Sequence, residues 1–229
     1  VEWETKMGFS VENNRITGIG LYECTVLTLP ESIGNLASLK KLYLDNNQLM
    51  TLPDFILKIT SLKKLALSSN NLTTLPDSIG NLSPLEILNL TDNELTTLPE
   101  SIGNLTSLQN LKLGYNQLTT LPESIGDLKS LQTLNLTNNK LTTLPDFILK
   151  ITSLKELFLG GNQLTTIPES IDNLSSLKEL NLSNNKLMTL PESIGNLKSL
   201  QTLNLKDNKL TTLPESIKIL ERRGVKIVK

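Results

Sequence analysis

Residues 131–153 read LQTLNLTNNKLTTLPDFILKITS, and eight of these 23 residues are leucine or isoleucine. With small changes, the same pattern L-x-x-L-x-L-x-x-N-x-L-x-T-L-P-x-x-I-x-x-L-x-x recurs nine times and fills residues 16–222. A strict period of this length indicates a repeat architecture, in which each unit is one supersecondary element. Nine of the ten prolines mark the period, each 23 residues after the one before: Pro30, Pro53, Pro76, Pro99, Pro122, Pro145, Pro168, Pro191 and Pro214.

The first half of each unit predicts a short strand. In the unit quoted above, Leu134 and Leu136 alternate with Thr133 and Asn135, so the leucines face inward and the polar residues face outward. An asparagine then ends each strand and can satisfy turn backbone groups that would otherwise be buried without a partner. These asparagines are Asn47, Asn70, Asn93, Asn116, Asn139, Asn162, Asn185 and Asn208. The first unit has Cys24 there, which we expect to be a small buried thiol.

The second half of each unit predicts a short helical return. Proline followed by an acid, as in Pro122-Glu123, suits a first helical turn, because proline needs no amide partner there and a carboxylate favours the positive helix end. No unit can bury its leucines alone, so neighbouring units must stack with parallel strands about 4.8 Å apart. The sequence therefore predicts an α/β repeat solenoid.

These positions together resemble the leucine-rich repeat family over residues 16–222, where each unit keeps its leucines, its asparagine or cysteine, and its proline and isoleucine. The L-P-x-x-I form is similar to the 23-residue class of intracellular Ras-associated scaffolds, Roco-type GTPase proteins and many prokaryotic proteins. The resemblance implies a horseshoe with a parallel sheet on the concave face and short helices or 3₁₀ turns on the convex face. It also implies that a partner protein binds the concave face.

Both ends of the repeat array predict caps. Met7, Phe9 and Val11 alternate with polar residues before a turn at Asn13-Asn14, which indicates a β-hairpin that covers the first repeat. Gly224 is a helix stop, and the residues after it are typical of a closing strand. We therefore divide the chain into an N-terminal cap at 1–15, nine repeats at 16–222 and a C-terminal cap strand at 223–229.

Composition and motifs argue against most chemistry. The chain has no histidine and no phosphate-binding, metal-binding or nucleophile-elbow motif, so we expect no catalysis, no cofactor and no metal. A formal net charge of −1 disfavours nucleic acid as a partner. The sequence contains no apolar run long enough to predict membrane insertion. Its single cysteine favours a reducing, cytoplasmic compartment.

One acid follows each repeat proline, and this acidic column has two interpretations. It runs through Glu31, Asp54, Asp77, Glu100, Glu123, Asp146, Glu169, Glu192 and Glu215. It resembles a rail for cations, but calcium needs six to eight converging oxygens rather than one per layer. We favour the alternative, in which each carboxylate complements the positive end of its own helical turn.

The outward strand positions predict the binding face. They form columns across the solenoid, and one column runs from Lys41 and Lys64 at its basic end to Glu156 and Glu179 at its acidic end. Aromatic and charged side chains are the usual energetic anchors of protein interfaces. We expect partner contacts at Tyr22, Lys41, Tyr43, Lys64, Lys112, Tyr115, Glu156, Phe158 and Glu179. The first hypothesis is a band of Tyr43, Lys112, Tyr115 and Phe158; the alternative is ordinary surface scatter.

A second contact is predicted on the convex side. Asp-Phe-Ile-Leu replaces the usual Glu-Ser-Ile-Gly in two units, which places Phe55, Leu57, Phe147 and Leu149 there. This repeated apolar pair is compatible with self-association. The alternative, which we favour, is that a longer helix folds Leu57 and Leu149 against neighbouring units and the chain is a monomer.

These observations predict a non-enzymatic scaffold that binds a protein partner through its concave face. By resemblance, the expected setting is intracellular signalling linked to a small GTPase. The alternative is a prokaryotic surface or secreted recognition protein that binds a host protein or a glycan.

Overall fold

The computed structural model describes residues 7–229 as one open sheet of eleven strands in chain order. The strands are β1 (Met7–Glu12), β2 (Arg15–Leu21), β3 (Lys41–Tyr43), β4 (Lys64–Ala66), β5 (Ile87–Asn89), β6 (Asn110–Lys112), β7 (Thr133–Asn135), β8 (Glu156–Phe158), β9 (Glu179–Asn181), β10 (Thr202–Asn204) and β11 (Lys226–Val228). Only β1 is antiparallel to its neighbour; the pairs from β2 to β11 are parallel. The predicted parallel sheet is confirmed.

Short helical turns return the chain between strands. Eight are 3₁₀ helices: Glu31–Asn35, Ile56–Lys58, Asp77–Asn81, Glu100–Asn104, Glu123–Asp127, Ile148–Lys150, Glu169–Asn173 and Glu192–Asn196. The last return is an α-helix, α1 (Ile217–Arg222). A layer only 23 residues long leaves room for one or two helical turns, which explains the tight 3₁₀ form. The strands line the concave face of the horseshoe and the helical turns lie on the convex face, as predicted.

The core is a stack of leucine columns between these two faces. The central leucine of each strand pairs in register with its counterpart in the next strand, as Leu111 does with Leu134, and both are fully buried. The isoleucine of each helical turn, such as Ile102, closes the same core from the convex side. Each layer is therefore covered by its two neighbours, which is why no unit is expected to fold alone.

The repeated asparagine connects each layer to the one before it. The Asn116 side-chain amide donates to the carbonyl oxygens of Leu90 at 2.9 Å and Leu113 at 3.1 Å. Its Oδ1 accepts from the backbone amide of Leu95 at 3.0 Å. Leu90 and Leu95 belong to the preceding repeat, so one buried side chain satisfies backbone groups of two layers. The predicted structural role of the asparagine column is confirmed.

Cys24 occupies this position where the column begins. Its backbone amide and that of Val26 both donate to Asn47 Oδ1, at 3.0 and 2.9 Å. The backbone amides of the first unit therefore donate to the asparagine of the second unit, and the first unit needs no asparagine of its own. The prediction of a buried thiol is wrong, because Cys24 is only half-buried and its Sγ donates to the carbonyl of Tyr22.

We expect Asn116→Ala to lower the free energy of unfolding by roughly 3 kcal/mol, because it leaves buried carbonyl and amide groups of two repeats without a partner. Urea denaturation followed by circular dichroism measures this loss. Asn173→Ala, which shortens an exposed asparagine on the convex side, is the matched control and should change little. Equal losses in both variants would contradict the role assigned to the buried column.

On the convex side, the acidic residues bond to the following repeat. Asp54 accepts a hydrogen bond from Ser78 Oγ at 2.6 Å, and Asp146 accepts one from Ser170 Oγ at 2.9 Å. Glu192 accepts from the backbone amide of Ser216 at 3.1 Å, and that hydrogen bond holds the pKa of its carboxyl below the usual value. These bonds tie each acid to the following repeat; Glu192 also begins its own 3₁₀ helix, whereas Asp54 and Asp146 lie two residues before theirs.

The two Asp-Phe-Ile-Leu segments differ from the prediction in two respects. Leu57 and Leu149 are buried, at 0% and 1% exposure, so the prediction that they contact a partner is wrong. Phe55 and Phe147 are half-buried and pack against the core. The helix in these units is also shorter, three residues rather than five, since it begins at Ile56 or Ile148 and not at the acid two residues earlier. Burial of the leucines is the packing alternative that the sequence favoured.

Glycine lies beneath each phenylalanine because the layers meet closely there. A Cβ atom added to Gly126 would lie 2.8 Å from the carbonyl oxygen of Phe147 and 3.3 Å from its Cβ. Backbone at this distance cannot move aside without disturbing the next turn. The same close approach recurs where serine follows, as between Gly103 and the Ser124 carbonyl oxygen, so the contact between layers requires the glycine whichever side chain follows.

Gly126→Ala should destabilise the protein by about 1–3 kcal/mol through overpacking against the Phe147 backbone. Gly114→Ala is a suitable control, since the nearest atom to its added Cβ is the Asn135 side-chain oxygen at 3.3 Å, which can adjust. Thermal unfolding of both variants tests the prediction. A midpoint for Gly126→Ala that equals that of the control would show that the layers tolerate extra volume.

At the N-terminal end, β1 and β2 form a hairpin through Asn13 and Asn14, whose φ angles of 50° and 59° suit a two-residue type I′ turn. Residues 1–6 of the predicted cap lie outside the described residues. Phe9 pairs with Ile19 and points to the same face of the sheet, yet Phe9 is 69% exposed. The described hairpin continues the sheet beyond the first repeat. Its apolar side chains, Met7, Phe9 and Val11, are exposed and do not pack over the first repeat, contrary to the predicted cap.

At the other end, Arg223 follows α1 and its guanidinium donates to the carbonyls of Leu197 and Lys198. Gly224 has φ 77°, which turns the chain back towards the sheet. β11 then pairs in parallel with β10. The predicted closing strand is therefore present within residues 226–228.

Candidate functional site

The in-register parallel pairing converts the outward strand positions into rows across the concave face. One row follows the first residue of each strand, and its neighbours include Lys41 with Lys64 and Glu156 with Glu179. A second row follows the last residue of each strand and contains Tyr43, Lys112 and Phe158. These rows match the columns expected from the sequence, because the repeat length is constant through the array.

The nine predicted contact residues lie along this face or at its turn edge. Lys41, Tyr43, Lys64, Lys112, Glu156, Phe158 and Glu179 are on strands, and all seven are exposed or half-buried. Tyr22 lies one residue after β2, and Tyr115 lies in the turn three residues after β6. The structure therefore places the predicted residues on one surface but spreads them from the end of β2 to β9.

The shape of this surface limits what it can bind. At about 4.8 Å per strand, the predicted residues extend over roughly 34 Å. Two open cavities, of about 540 and 550 Å³, lie away from the strand face; Arg15 and Lys40 line the first, and Asp172 and Arg223 line the second. A long, exposed row of side chains is suited to an extended ligand rather than to an enclosed small molecule.

Two of the tyrosines have polar neighbours on the face. Burial raises the pKa of the Tyr43 hydroxyl, and the nearby Asp45 carboxylate adds to this effect. Asp45 in turn accepts hydrogen bonds from the backbone amide of Ser68, at 2.9 Å, and from its hydroxyl. The Tyr22 hydroxyl accepts from the side-chain amide of Asn46. The hydrogen bond from Asn46 positions the Tyr22 ring, and Tyr43 is half-buried beside it at the N-terminal part of the face.

Tyr115 has an unusual backbone conformation. Its φ angle is 56°, in the left-handed region that strongly disfavours a bulky side chain. The equivalent position is Glu23 in the first repeat and Asn46, Ser69, Asp92, Asn138, Gly161, Asn184 and Asp207 in the others. Small polar residues and glycine tolerate this conformation, so a tyrosine here costs stability. The side chain is also 57% exposed and gains little from packing.

This strain was not recognised from the sequence, although a signal was present. The position before each buried asparagine holds Asn, Asp, Ser or Gly in seven of the eight repeats from Asn47 onward, and that composition is typical of a left-handed turn residue. An aromatic residue in such a position indicates that something other than folding favours it.

The sequence analysis also missed an exposed apolar pair, Leu27 and Met50, each three residues before a repeat proline. Leu27 and Met50 are 64% and 67% exposed and line an open groove of about 370 Å³ together with Gln48 and Thr73. Six of the nine repeats have threonine at this position, so an apolar residue there could have been recognised from the sequence as an exception.

We expect Tyr115→Asn to stabilise the fold by about 1 kcal/mol, because asparagine tolerates the left-handed conformation better than tyrosine does. Chemical denaturation of both proteins measures the difference. Phe158→Asn, at a strand position with ordinary backbone angles, is the control and should not stabilise. A loss of stability in Tyr115→Asn would show that the ring contributes more to folding than its exposure indicates.

Family models match the repeats in three overlapping sections. A leucine-rich repeat region matches residues 99–186, a leucine rich repeat model matches 37–95 and 60–118, and a two-copy leucine rich repeat model matches 175–218. The chain belongs to the leucine-rich repeat family. The resemblance seen in its leucine, asparagine and proline positions is thereby confirmed.

Solved structures of leucine-rich repeat proteins share the fold. A leucine-rich repeat protein of Leptospira interrogans is 39% identical with a TM-score of 0.72, over 85% of this chain and 55% of that one. The ectodomain of the Arabidopsis thaliana receptor kinase GASSHO1/SCHENGEN3, solved in complex with CASPARIAN STRIP INTEGRITY FACTOR 2, is 34% identical with a TM-score of 0.75, over 83% and 24%. The functional domain of InlJ from Listeria monocytogenes is 27% identical with a TM-score of 0.75, over 86% and 41%.

The chain thus spans about half of the Leptospira structure and a quarter of the plant ectodomain. No curated protein matches it. Between residues 7 and 229, no helix has the length and apolar character required to cross a bilayer. Over the same range, no three acids or cysteines converge in an arrangement able to hold a metal ion.

Proposed function

We propose that this protein is a non-enzymatic interaction module that binds an extended segment of a partner protein across its concave strand face. The observation that carries the proposal is Tyr115, an exposed aromatic side chain kept in a left-handed turn at a cost to stability. Natural proteins hold such strained residues mainly where function requires them. Tyr115 lies at the edge of the same face that presents Tyr43, Lys112 and Phe158.

The form of the face supports a peptide-like ligand. Its rows of Tyr43, Lys112 and Phe158 run across the strands, so a chain lying along the row meets one anchor every two or three strands. The likeness to the ectodomain of GASSHO1/SCHENGEN3, which was solved with CASPARIAN STRIP INTEGRITY FACTOR 2, also supports this choice. A tyrosine or phenylalanine side chain supplies contact area at a low cost in conformational entropy.

We propose a chemical role limited to binding. The chain has no histidine and a net charge of −1, which favours protein over nucleic acid as the partner. No cofactor or metal enters the proposal. The expected setting is the cytoplasm, where the protein acts as a monomeric scaffold in signalling linked to a small GTPase.

A second candidate is a prokaryotic surface or secreted recognition protein that binds a host protein or a glycan. The 39% identity to a Leptospira interrogans leucine-rich repeat protein favours it. Cell fractionation with an antibody against this chain separates the two settings. Protein in the cytoplasmic fraction supports the first candidate, and protein in the culture medium or on the cell surface supports the second.

The binding proposal is tested by affinity capture with the wild-type chain and a variant in which Tyr43, Lys112, Tyr115 and Phe158 are alanine. The matched control replaces Met50, Lys58, Lys150 and Met188, which are exposed away from the strand face. We expect captured proteins, identified by mass spectrometry, to be retained by the wild type and the control and lost by the concave variant, with at least a tenfold loss in affinity for the purified partner.

Retention of the same partner by the concave variant would overturn the proposed site. Loss of the partner from the off-face control alone would move the site to the turn and convex sides. Circular dichroism of all three proteins excludes unfolding as the cause, since each substitution changes a side chain outside the buried core.

A further inference from the structure

From β3 to β9, the charged strand residues of the concave face are sorted by sign. The basic residues come first, with Lys41 on β3, Lys64 on β4 and Lys112 on β6. The acidic residues follow, with Glu156 on β8 and Glu179 on β9. No strand residue from β3 to β9 breaks this order. Between β3 and β9, the face therefore has a basic end and an acidic end; Lys226 on β11 lies outside this segment.

Each end is built from like charges on neighbouring strands. Lys41 is the register partner of Lys64, and Glu156 is the register partner of Glu179. Like charges directly opposite each other on a sheet are unfavourable for folding. The two rungs therefore oppose stability, in the same way as Tyr115 does, unless a ligand supplies the opposite charge.

Within residues 7–229 these charges form no ion pair, although Lys41 adds to the effect of Lys40 in lowering the pKa of the Glu12 carboxyl. The ion pairs of this range use Lys40 with Glu12 and Lys63 with Glu86 near the basic end, and none of them includes Lys41, Lys64, Glu156 or Glu179. Lys40 and Lys63 precede the strands and turn away from the face to reach their acids. The strand lysines are left to meet solvent or a partner.

The neighbouring groups of opposite sign are also directed elsewhere. Asp45, at the far side of β3, accepts two hydrogen bonds from Ser68. Lys155 precedes Glu156 but its Nζ donates to Gln132 at 2.9 Å, on the flank of the solenoid. Glu156 itself accepts from the Thr133 hydroxyl at 3.0 Å, which keeps its carboxylate on the strand face. The separation of charge along the face is thus maintained by specific contacts.

We infer that the concave face selects a charge-polar partner segment, acidic where it crosses β3 and β4 and basic where it crosses β8 and β9. This inference rests on the proposed function. The centres of the two rungs are five strands apart, about 24 Å at 4.8 Å per strand. An extended chain advances about 3.3 Å per residue, so the acidic and basic groups of the partner lie roughly seven residues apart.

Electrostatic complementarity of this kind fixes the direction in which a ligand lies more than it adds to affinity. A segment placed the wrong way along the sheet would bring carboxylates against Glu156 and Glu179 and lysines against Lys41 and Lys64. Tyr43, Lys112, Tyr115 and Phe158 then contact the middle of a segment that the two ends have already aligned.

A peptide selection tests this inference with four proteins. Random dodecapeptides displayed on phage are selected on the immobilised wild-type chain, on Lys41→Glu with Lys64→Glu, on Glu156→Lys with Glu179→Lys, and on the protein with all four reversals. We expect peptides with separate acidic and basic blocks from the first and last proteins. The Lys41→Glu, Lys64→Glu protein should select basic peptides, and the Glu156→Lys, Glu179→Lys protein should select acidic ones.

A direct binding measurement then uses one probe, Asp-Asp followed by five uncharged residues and Lys-Lys, with a permuted peptide of alternating charge as its control. By fluorescence anisotropy, we expect the block peptide to bind at least about tenfold more tightly than the permuted one and to lose about tenfold when one end of the face is reversed. Reversal of both ends should restore binding, and a photo-crosslinker beside the aspartates should then label β8 and β9 instead of β3 and β4.

The outcomes separate this inference from the proposed function. Selected peptides without a charge pattern, equal binding of the two peptides, or no selected peptide at all would overturn the charge-polar partner. Selected peptides that carry no charge pattern but fail to bind the Tyr43, Lys112, Tyr115, Phe158 alanine variant would support the proposed concave binding site while overturning the charge-polar partner. Peptides bound equally by that variant and unaffected by the charge reversals would overturn both.

Discussion

The buried asparagine of the second to eighth repeats is the interaction on which the solenoid depends. A turn that closes every strand leaves backbone amides and carbonyls inside the protein, where an unpaired polar group is costly. Asn116 satisfies three such groups, two of them in the preceding repeat. The same bonds recur along the column, so every layer is held at one distance and in one register relative to its neighbour. Leucine burial drives the stacking, but leucines alone do not specify the register.

A fixed register has a consequence for binding. Equivalent positions of all repeats form straight rows on the concave face, and each position becomes a site for variation that leaves the core unchanged. Lys41, Lys64, Glu156 and Glu179 share one row although 138 residues separate the first from the last. The solenoid converts the sequence period into spatial order, and its strands therefore present a long and specific surface.

Three features of that face oppose stability: the left-handed backbone of Tyr115, the lysine rung and the glutamate rung. The rest of the array offers milder alternatives at each position, since asparagine, threonine and glycine occupy the equivalent places in other repeats. Folding would favour those alternatives. That the costs fall on the exposed strand face and its edge, while the core keeps an almost uniform set of leucines, indicates that this surface is where the protein is specialised.

The sequence by itself determined the fold class, the period, the strand register and the outward residues, because a strict repeat leaves one way to bury its leucines. It also placed Cys24 where the asparagine column begins. Only the tertiary structure decided how adjacent layers fit together. Leu57 and Leu149 are buried because the next turn covers them, Phe9 is exposed because the described hairpin extends the sheet beyond the first repeat, and Tyr115 is strained because the turn bonds to both neighbours. Each of these depends on contacts between residues about 23 positions apart, which a local pattern does not contain.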